Sequence, residues 1–128
     1  MPVGEIQEQM LFGVAEDIDL TGLVDRKLQS ISVGAERLEL NFDDDWSLNF
    51  ECSWCLEGGA GSIAEGNREA LLDDVEKLTR LVGFMVEFAV PRPPDRIEID
   101  FGKQGRLVLI DDSELLESFS IDPIGIVV

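Results

Sequence analysis

The chain has 128 residues and a net charge of −17, from 27 acidic and 10 basic side chains, and 45% of its residues are hydrophobic. This length and hydrophobic content favour one packed domain over residues 1–128 that folds without a metal or a disulfide. The charge excludes nucleic acid as a partner, because phosphates would be repelled, and it suits a basic protein partner. The alternative is that the charge serves solubility alone.

Absent residue types narrow the function further. The chain has no histidine, which is the side chain most often used as a general base near neutral pH and the commonest metal ligand. We therefore expect a protein that is not an enzyme and that uses neither a metal nor a cofactor. No apolar run approaches the roughly 18 residues of a membrane span, and no basic region precedes an apolar stretch at the N-terminus. The sequence thus predicts a cytoplasmic protein without a membrane partner.

The first predicted element is a short helix or ordered arm within residues 1–17. Ile6, Met10 and Val14 recur there at helical spacing. Gly13 lies inside this stretch and lowers its helix propensity.

A repeated segment organises the rest of the chain. Arg37–Phe42 returns further along the chain as Arg96–Phe101, with every position identical or chemically close. Apolar and polar residues alternate strictly in both copies, which predicts two equivalent central strands. The repeat begins earlier, because Leu20–Val24 matches Leu78–Val82 at an offset of 58 (78 − 20).

We therefore expect two related half-units, at about residues 20–56 and 78–121, each with an opening strand ahead of its central strand. The expected opening strands are Leu28–Val33 and Phe84–Val90. In the second of these, apolar residues at alternate positions share one face, whereas the first has a poorer pattern. The residues that share this face are Phe84, Val86, Phe88 and Val90.

Further strands follow the two central strands. Trp46–Cys52 alternates in polarity, and Arg106–Ile110 occupies the matching place in the second half-unit. Leu115–Ile121 also alternates, and the apolar stretch Ile124–Val128 suits a closing strand. Pro91–Asp95 predicts a stiff hairpin connection, because predicted strands flank it closely. The alternative, a Pro-x-x-Pro ligand for an aromatic groove, is less favoured.

A flexible connector, Gly58–Gly61, and then one helix link the half-units. The connector lacks the Lys and Ser/Thr of a phosphate-binding loop. Asn67 suits a helix N-cap, and apolar residues at helical spacing predict a helix near residues 67–79. The expected fold class is α+β, with two related antiparallel three-stranded half-units forming a twisted sheet or sandwich beside this helix.

The segment Cys52-Ser53-Trp54-Cys55 has the spacing of a redox or zinc motif. A redox motif belongs at a strand-to-helix junction of a βαβ unit, which does not follow here, and zinc would need a second pair of ligands. In an extended strand the two thiols would point to opposite faces. The pattern therefore favours ordinary buried thiols.

Two acidic clusters, Asp43–Asp45 and Asp111–Glu114, lie at predicted strand ends. Neither has the spacing of a calcium-binding loop, which favours solvated turns. As surface charges they are candidates for contact with a partner.

The two tryptophans differ in their surroundings. Trp46 alternates with Leu48 and Phe50 and is expected in the core. Trp54 follows the strand and is a candidate interface anchor, a role that Trp often takes, with core packing as the alternative.

Several segments resemble small uncharacterised bacterial proteins in which a half-unit often ends in Glu-Ser-Trp-Ser-Ile. The resemblance covers about residues 20–121, and such proteins are similar to immunity proteins of bacterial toxin systems, which implies no catalytic residues. The chain departs from the pattern at Phe119, where Trp is usual, and at Gln104-Gly105, where an acid precedes Gly. The segments that carry the resemblance are Leu48–Trp54, Leu78–Gly83, Ile97–Phe101, Leu107–Leu109 and Glu117–Ile121.

We therefore predict an acidic binding protein, an immunity protein that neutralises a basic toxin domain by occlusion with electrostatic steering. One alternative is a structural or regulatory module that forms a homodimer through an exposed strand such as Ile124–Val128. Another is a carboxylate-based enzyme, which a cleft lined by two close acids would favour. The residues expected to bind the partner are Asp43, Asp44, Asp45, Trp54, Asp73, Asp74, Asp111, Asp112, Glu114 and Glu117.

Overall fold

The computed structural model describes residues 20–34, 37–67, 72–111, 119–122 and 126–127. In this part of the chain, ten antiparallel strands form two five-stranded sheets. Of the predicted α+β fold, the antiparallel strands are confirmed, whereas the helices in the described ranges are few and short. The strands are β1 (Leu28–Val33), β2 (Leu38–Phe42), β3 (Ser47–Phe50), β4 (Ser53–Gly58), β5 (Gly61–Gly66), β6 (Phe88–Arg92), β7 (Arg96–Asp100), β8 (Arg106–Ile110), β9 (Phe119–Asp122) and β10 (Ile126–Val127).

The two sheets have the same plan. The first has the strand order β1-β2-β3-β9-β10, and the second has the order β6-β7-β8-β4-β5. Each is a three-stranded meander extended by a strand pair from the other part of the chain, because β9 pairs with β3 and β4 pairs with β8. The sheets thus contain five strands each, where the sequence pattern predicted units of three.

One hydrophobic core lies under both sheets, and the two central strands supply much of it. Leu38, Leu40 and Phe42 of β2 are buried, as are their counterparts in β7 and just after it. The strict alternation of β2 and β7 therefore arises because one face of each strand packs into the core. The counterparts are Ile97, Ile99 and Phe101.

A short 3₁₀ helix precedes each meander, at Thr21–Leu23 and at Val75–Leu81. Both copies of the Leu-Thr-x-Leu-Val segment end in the same way, since the N–H of Val24 donates to the carbonyl of Thr21 (3.0 Å) and that of Val82 to Thr79 (3.1 Å). The segments close the edge of the core, because both leucines of each copy are buried. These leucines are Leu20, Leu23, Leu78 and Leu81.

The stretches that follow these helices join the two sheets. Lys27 and Met85 face each other in an isolated antiparallel bridge. Four backbone hydrogen bonds flank this bridge, and they form two equivalent pairs. Replacing the donor and the acceptor of one bond by their counterparts in the repeat gives the other bond of its pair. The bonds run from the N–H groups of Asp25, Gly83, Leu28 and Val86 to the carbonyls of Val86 (2.8 Å), Leu28 (2.7 Å), Phe84 (3.0 Å) and Arg26 (2.9 Å), respectively.

The helix predicted near residues 67–79 is present only in part among the described residues. Residues 72–74 form a turn, and only Val75–Leu81 is helical, with 3₁₀ geometry. Asp74 has a φ of 59°, a left-handed conformation that an α-helix cannot contain. The hydroxyl of Thr79 also donates to the carbonyl of Glu76 (2.6 Å), which draws that carbonyl into a side-chain bond.

Two predicted segments around Cys52 also differ from the structure. The strand expected over Trp46–Cys52 stops at Phe50, and the chain bends at Cys52 before it continues as β4 in the other sheet. The connector predicted at Gly58–Gly61 is the turn of the β4–β5 hairpin. Gly61 has a φ of 118°, which suits glycine at a tight turn.

The second opening strand begins later than predicted. The expected strand, Phe84–Val90, shares only its last three residues with β6, and the side chains expected on one face differ in burial. Val86 and Ala89 are buried, whereas Phe84 and Phe88 are exposed. Alternating residues share one face only in an extended strand, and residues 84–87 do not form one. Of the loop predicted at Pro91–Asp95, residues 93–95 form the turn from β6 to β7, whereas Pro91 and Arg92 belong to β6.

Other predictions concern the ends of the chain. The N-terminal helix expected within residues 1–17 lies outside the described residues. Of the expected Leu115–Ile121 and Ile124–Val128 strands, the structure describes Phe119–Asp122 and Ile126–Val127, both as strands. Among the described residues, no helix has the length and apolar character that a membrane crossing requires.

Candidate functional site

The Asp43–Asp45 turn connects β2 to β3 at one end of the first sheet. Asp44 and Asp45 both have left-handed backbone conformations, with φ of 56° and 63°. Aspartate tolerates this conformation better than most residues. Both side chains are exposed, so this turn presents negative charge to solvent as predicted from the sequence.

Arg26 holds this turn against the protein. Its Nη1 lies 2.6 Å from Oδ2 of Asp44, and its Nε donates to the carbonyl of Gly22 at 3.0 Å. The guanidinium also sits 4.6 Å from the ring centroid of Trp46, an arrangement that favours a cation. Asp43 is part of the same cluster, since its buried Oδ1 lies 4.0 Å from Nη1 of Arg26. Asp45 is the member of the turn least involved in this cluster.

Asp73 and Asp74 lie at the second sheet. Asp73 is exposed and lines a groove of about 410 Å³ together with Cys55 and Arg96. Asp74 instead pairs with Lys77, with 3.5 Å between Oδ1 and Nζ. Of these two residues, Asp73 is therefore the better placed to meet a partner.

Two candidate residues are buried, which removes them from the proposed contact surface. Trp54 is 1% exposed, because its position in β4 points into the core. Asp111 is 3% exposed, and its N–H donates to the carbonyl of Asp95 at 2.6 Å. The core alternative stated for Trp54 is the one that the structure supports. The remaining candidates, Asp112, Glu114 and Glu117, lie outside the described residues.

The two cysteines are separated as expected, although the chain bends at Cys52 and is not the extended strand that the prediction assumed. Cys52 is fully buried in the core, and Cys55 is half-buried on the outer face of β4. Burial, and next to it the carboxylate of Glu57, raises the pKa of the Cys55 thiol above its ordinary value. A raised pKa disfavours the thiolate, which is the reactive form. This geometry gives no support to a redox role.

A second groove, of about 870 Å³, runs along one end of the second sheet and is lined by three carboxylates. Asp100 is engaged there, because its Oδ1 accepts from the N–H of Gly102 (2.7 Å) and its Oδ2 lies 3.4 Å from Nε of Arg106. The other two carboxylates are Glu57 and Glu87. The groove is the described feature closest to the cleft that a carboxylate enzyme would need, but Asp100 acts there as a turn cap.

A feature that sequence reasoning missed is an exposed apolar segment at residues 82–88. Phe84 is 44% exposed, Met85 51% and Phe88 39%. Alternation predicted that Phe84 and Phe88 share one strand face with Val86, which is buried. The sequence repeat carried a signal of this exposure, because the residues 58 positions before Phe84, Met85 and Phe88 are polar.

Among the described residues, no group of three or more Cys, Asp or Glu side chains is placed to hold a metal ion. Comparisons of the chain with protein-family models, with curated proteins and with solved structures find no match.

Proposed function

We propose that this protein is an acidic binding protein that neutralises a basic bacterial toxin domain by direct occlusion, as an immunity protein does. The observation that carries the proposal is the distribution of charge over the described surface. Most of the described Lys and Arg side chains form ion pairs with nearby carboxylates, and many of the remaining carboxylates are exposed to solvent.

Structural ion pairs use most of the positive charge. Six of the nine Lys and Arg residues in the described ranges have a carboxylate oxygen within 4.0 Å. These pairs cancel charge locally and contribute little stability where they are exposed. The six are Arg26, Arg37, Lys77, Arg92, Arg96 and Arg106.

The surplus acids are spread over the surface. Exposed carboxylates occur in both sheets, in the 3₁₀ helix at Val75–Leu81 and in the segments that join the sheets. A surface of this kind attracts a cationic partner over a distance of about 10 Å at moderate salt and raises the rate of productive encounter. The exposed acids include Asp25, Asp45, Glu65, Asp73, Glu76, Glu87 and Asp122.

We also infer that the chain consists of two related half-units, each larger than the three strands expected. The strand orders of the two sheets correspond one to one. The hydrogen bonds that flank the Lys27–Met85 bridge exchange places when each residue is replaced by its repeat counterpart. The turns that follow the two central strands also match. The N–H of Phe42 donates to the carbonyl of Trp46 and the N–H of Phe101 to that of Gly105, both at 2.8 Å.

The proposal is tested by titrating the purified protein against the purified product of the neighbouring gene. We expect tight binding whose association rate falls by at least about tenfold as ionic strength rises from 0.05 to 0.5 M, because salt screens the steering field. The toxin activity of the partner should be lost at one equivalent. A neighbour with no toxic activity, or the absence of binding, contradicts the proposal.

A homodimer through the end of the chain is the second candidate. It is favoured by the position of β10, which pairs only with β9 among the described strands and forms one edge of the first sheet. Edge strands can pair with a second copy. Sedimentation equilibrium decides between the two, since a dimer of the isolated protein that is indifferent to salt supports the homodimer and a monomer supports the binding protein.

A further inference from the structure

The segment Val82–Phe88 places several large apolar side chains on the surface of a protein whose other apolar residues are mostly buried. Among the described residues, six large hydrophobic side chains are exposed, and four of them fall within this segment. Single exposed hydrophobic residues are ordinary, whereas a cluster marks an interaction site. The four are Val82, Phe84, Met85 and Phe88.

The fold does not require apolar residues at positions 84, 85 and 88, whereas Val82 has the apolar counterpart Val24. Arg26 and Lys27 are the repeat counterparts of Phe84 and Met85, in a backbone with the same hydrogen bonds. Ser30 matches Phe88. Its partner across the ladder is Asn41, and the partner of Phe88 is Asp100, the residue that corresponds to Asn41 in the repeat. The same backbone framework thus carries polar side chains in the first copy of the repeat and apolar side chains in the second.

The apolar segment is held rigidly. The carbonyl of Phe84 accepts from Leu28 (3.0 Å), and the N–H of Val86 donates to Arg26 (2.9 Å). The side chain of Val86 is buried, which anchors the middle of the segment in the core. A partner that binds here would lose little free energy to the ordering of a loop.

Acidic residues adjoin the segment along the backbone, together with the exposed Lys27. Asp25 is exposed and its N–H donates to the carbonyl of Val86 at 2.8 Å. Glu87 is exposed within the segment itself. The Asp43–Asp45 turn is connected to it through Lys27, whose carbonyl accepts from the N–H of Asp43 (3.1 Å) and which faces Met85. The result is an apolar centre with a predominantly acidic border.

We propose that Val82, Phe84, Met85 and Phe88 form the docking surface for the cationic protein, with Asp25, Glu87 and the Asp43–Asp45 turn as its border. This inference rests on the proposed function and adds to it the contact face of the partner, which presents an apolar cavity ringed by Lys and Arg. Protein interfaces are enriched in aromatic residues and Met at their centre and are polar at their rim. A second copy of this chain fits poorly, because each copy carries a charge of −17.

The first test replaces the apolar anchors. Phe84→Ser and Met85→Ser should each weaken binding of the purified neighbouring-gene product by about 30-fold or more, which is the effect of removing an interface hot spot. Val33→Ser is the matched control, because Val33 is 54% exposed at the outer edge of the first sheet, and it should bind as the wild type does. Thermal unfolding of each variant checks that the fold is intact.

The outcomes separate the two proposals. If the wild-type protein does not bind the neighbouring-gene product, the proposed function fails and the docking surface fails with it. If the wild type binds and the Phe84 and Met85 variants bind equally well, the docking surface alone is wrong. Equal losses in these variants and in the Val33 control also overturn it.

A second test identifies what covers the segment. A photo-crosslinking benzoylphenylalanine in place of Met85 is irradiated in the complex, and the joined peptides are identified by mass spectrometry. A partner peptide that contains Lys or Arg beside apolar residues supports the proposal. A cross-link to residues 1–19 of the same molecule, or to a second copy of this chain, overturns it.

Discussion

Phe42 and Phe101 stack on each other in the core, with ring centroids 6.5 Å apart and ring planes 12° from parallel. They are the final residues of the two repeated segments, so this contact joins corresponding positions of the two copies. The two sheets therefore share a packing interaction between matching positions. Offset stacking of this kind adds to the free energy gained from burial.

Loss of this contact should destabilise the protein strongly. We expect Phe101→Ala to lower the free energy of unfolding by about 3–5 kcal/mol, because it removes a buried ring and leaves a cavity. Phe88→Ala is the matched control, since Phe88 is an exposed phenylalanine, and it should change the free energy by less than about 1 kcal/mol. Urea denaturation monitored by circular dichroism measures both. Similar losses in the two variants would contradict the assignment of Phe101 to the core.

Arg26 should be the most important cation for stability among the paired ones. Arg26→Ala removes the bonds to Asp44 and to the carbonyl of Gly22, and it leaves the buried Oδ1 of Asp43 without its nearby cation. We expect a loss of about 2 kcal/mol. Arg37→Ala should cost less than about 1 kcal/mol, because Arg37 is exposed and its partner Glu51 is only partly buried. If urea denaturation gives equal losses for Arg26→Ala and Arg37→Ala, the cluster around Arg26 contributes no more stability than an exposed ion pair.

Gly22 gives a test of close packing. A Cβ added at Gly22 would lie 2.8 Å from Cζ3 of Trp46, and closer still to Cη2. We expect Gly22→Ala to cost about 1–3 kcal/mol, the usual range for an overpacked site. Gly59→Ala is the control, because no heavy atom lies within 4 Å of the added Cβ. Combining Gly22→Ala with Trp46→Leu should cost less than the sum of the two single changes, which a double-mutant cycle measures.

Cys55 should titrate above the ordinary range of a thiol. Burial and the nearby Glu57 raise its pKa, so alkylation by iodoacetamide should be slow at neutral pH and should keep rising at alkaline pH. The variant Cys52→Ala isolates Cys55, and Cys55→Ala isolates the buried Cys52, which should react only on unfolding. A reaction midpoint at or below that of a cysteine-containing peptide contradicts this prediction.

The same pKa shift has a consequence for stability. Because the folded state holds the Cys55 proton more tightly than the unfolded state, the stability it contributes is fully present below the pKa of the unfolded thiol. That contribution disappears as the pH rises through the higher pKa of the folded thiol. The wild type should therefore lose more stability than Cys55→Ala over this alkaline range, as measured by thermal melting at several pH values.

The central strands were predictable because two independent signals agreed on them. Strict alternation placed Leu38, Leu40 and Phe42 on one face, and the repeat at Arg96–Phe101 said the same. The buried side chains follow that pattern. Local polarity was sufficient here because each strand has one core face and one outer face.

Elsewhere, local polarity did not decide the structure. The helical spacing after Asn67 suggested an α-helix, yet Asp74 adopts a left-handed conformation that polarity does not encode. Asp111 looked like a surface charge, but it follows β8 and is buried beside Asp95. Phe84 is exposed in the stretch that joins the two sheets, where its polarity alone would favour burial.

One close contact is also understandable only in three dimensions. Gly22 leaves room for the ring of Trp46. The positions that match them in the repeat are Arg80 and Gly105, but an added Cβ at Gly105 would meet Glu57 and Leu56. The contact between Gly22 and Trp46 therefore cannot be found by comparing the two copies of the repeat.

The crossed strand pairs have a consequence for how the molecule comes apart. Since β4 and β5 leave the first meander to complete the second sheet, and β9 and β10 complete the first, neither half of the chain contains a whole sheet. Cutting the backbone in the connection between Gly66 and Val75 should therefore yield two fragments that are unfolded alone and that recover the native spectrum when mixed. The intact chain should melt in one cooperative step, with no state in which one sheet survives the other.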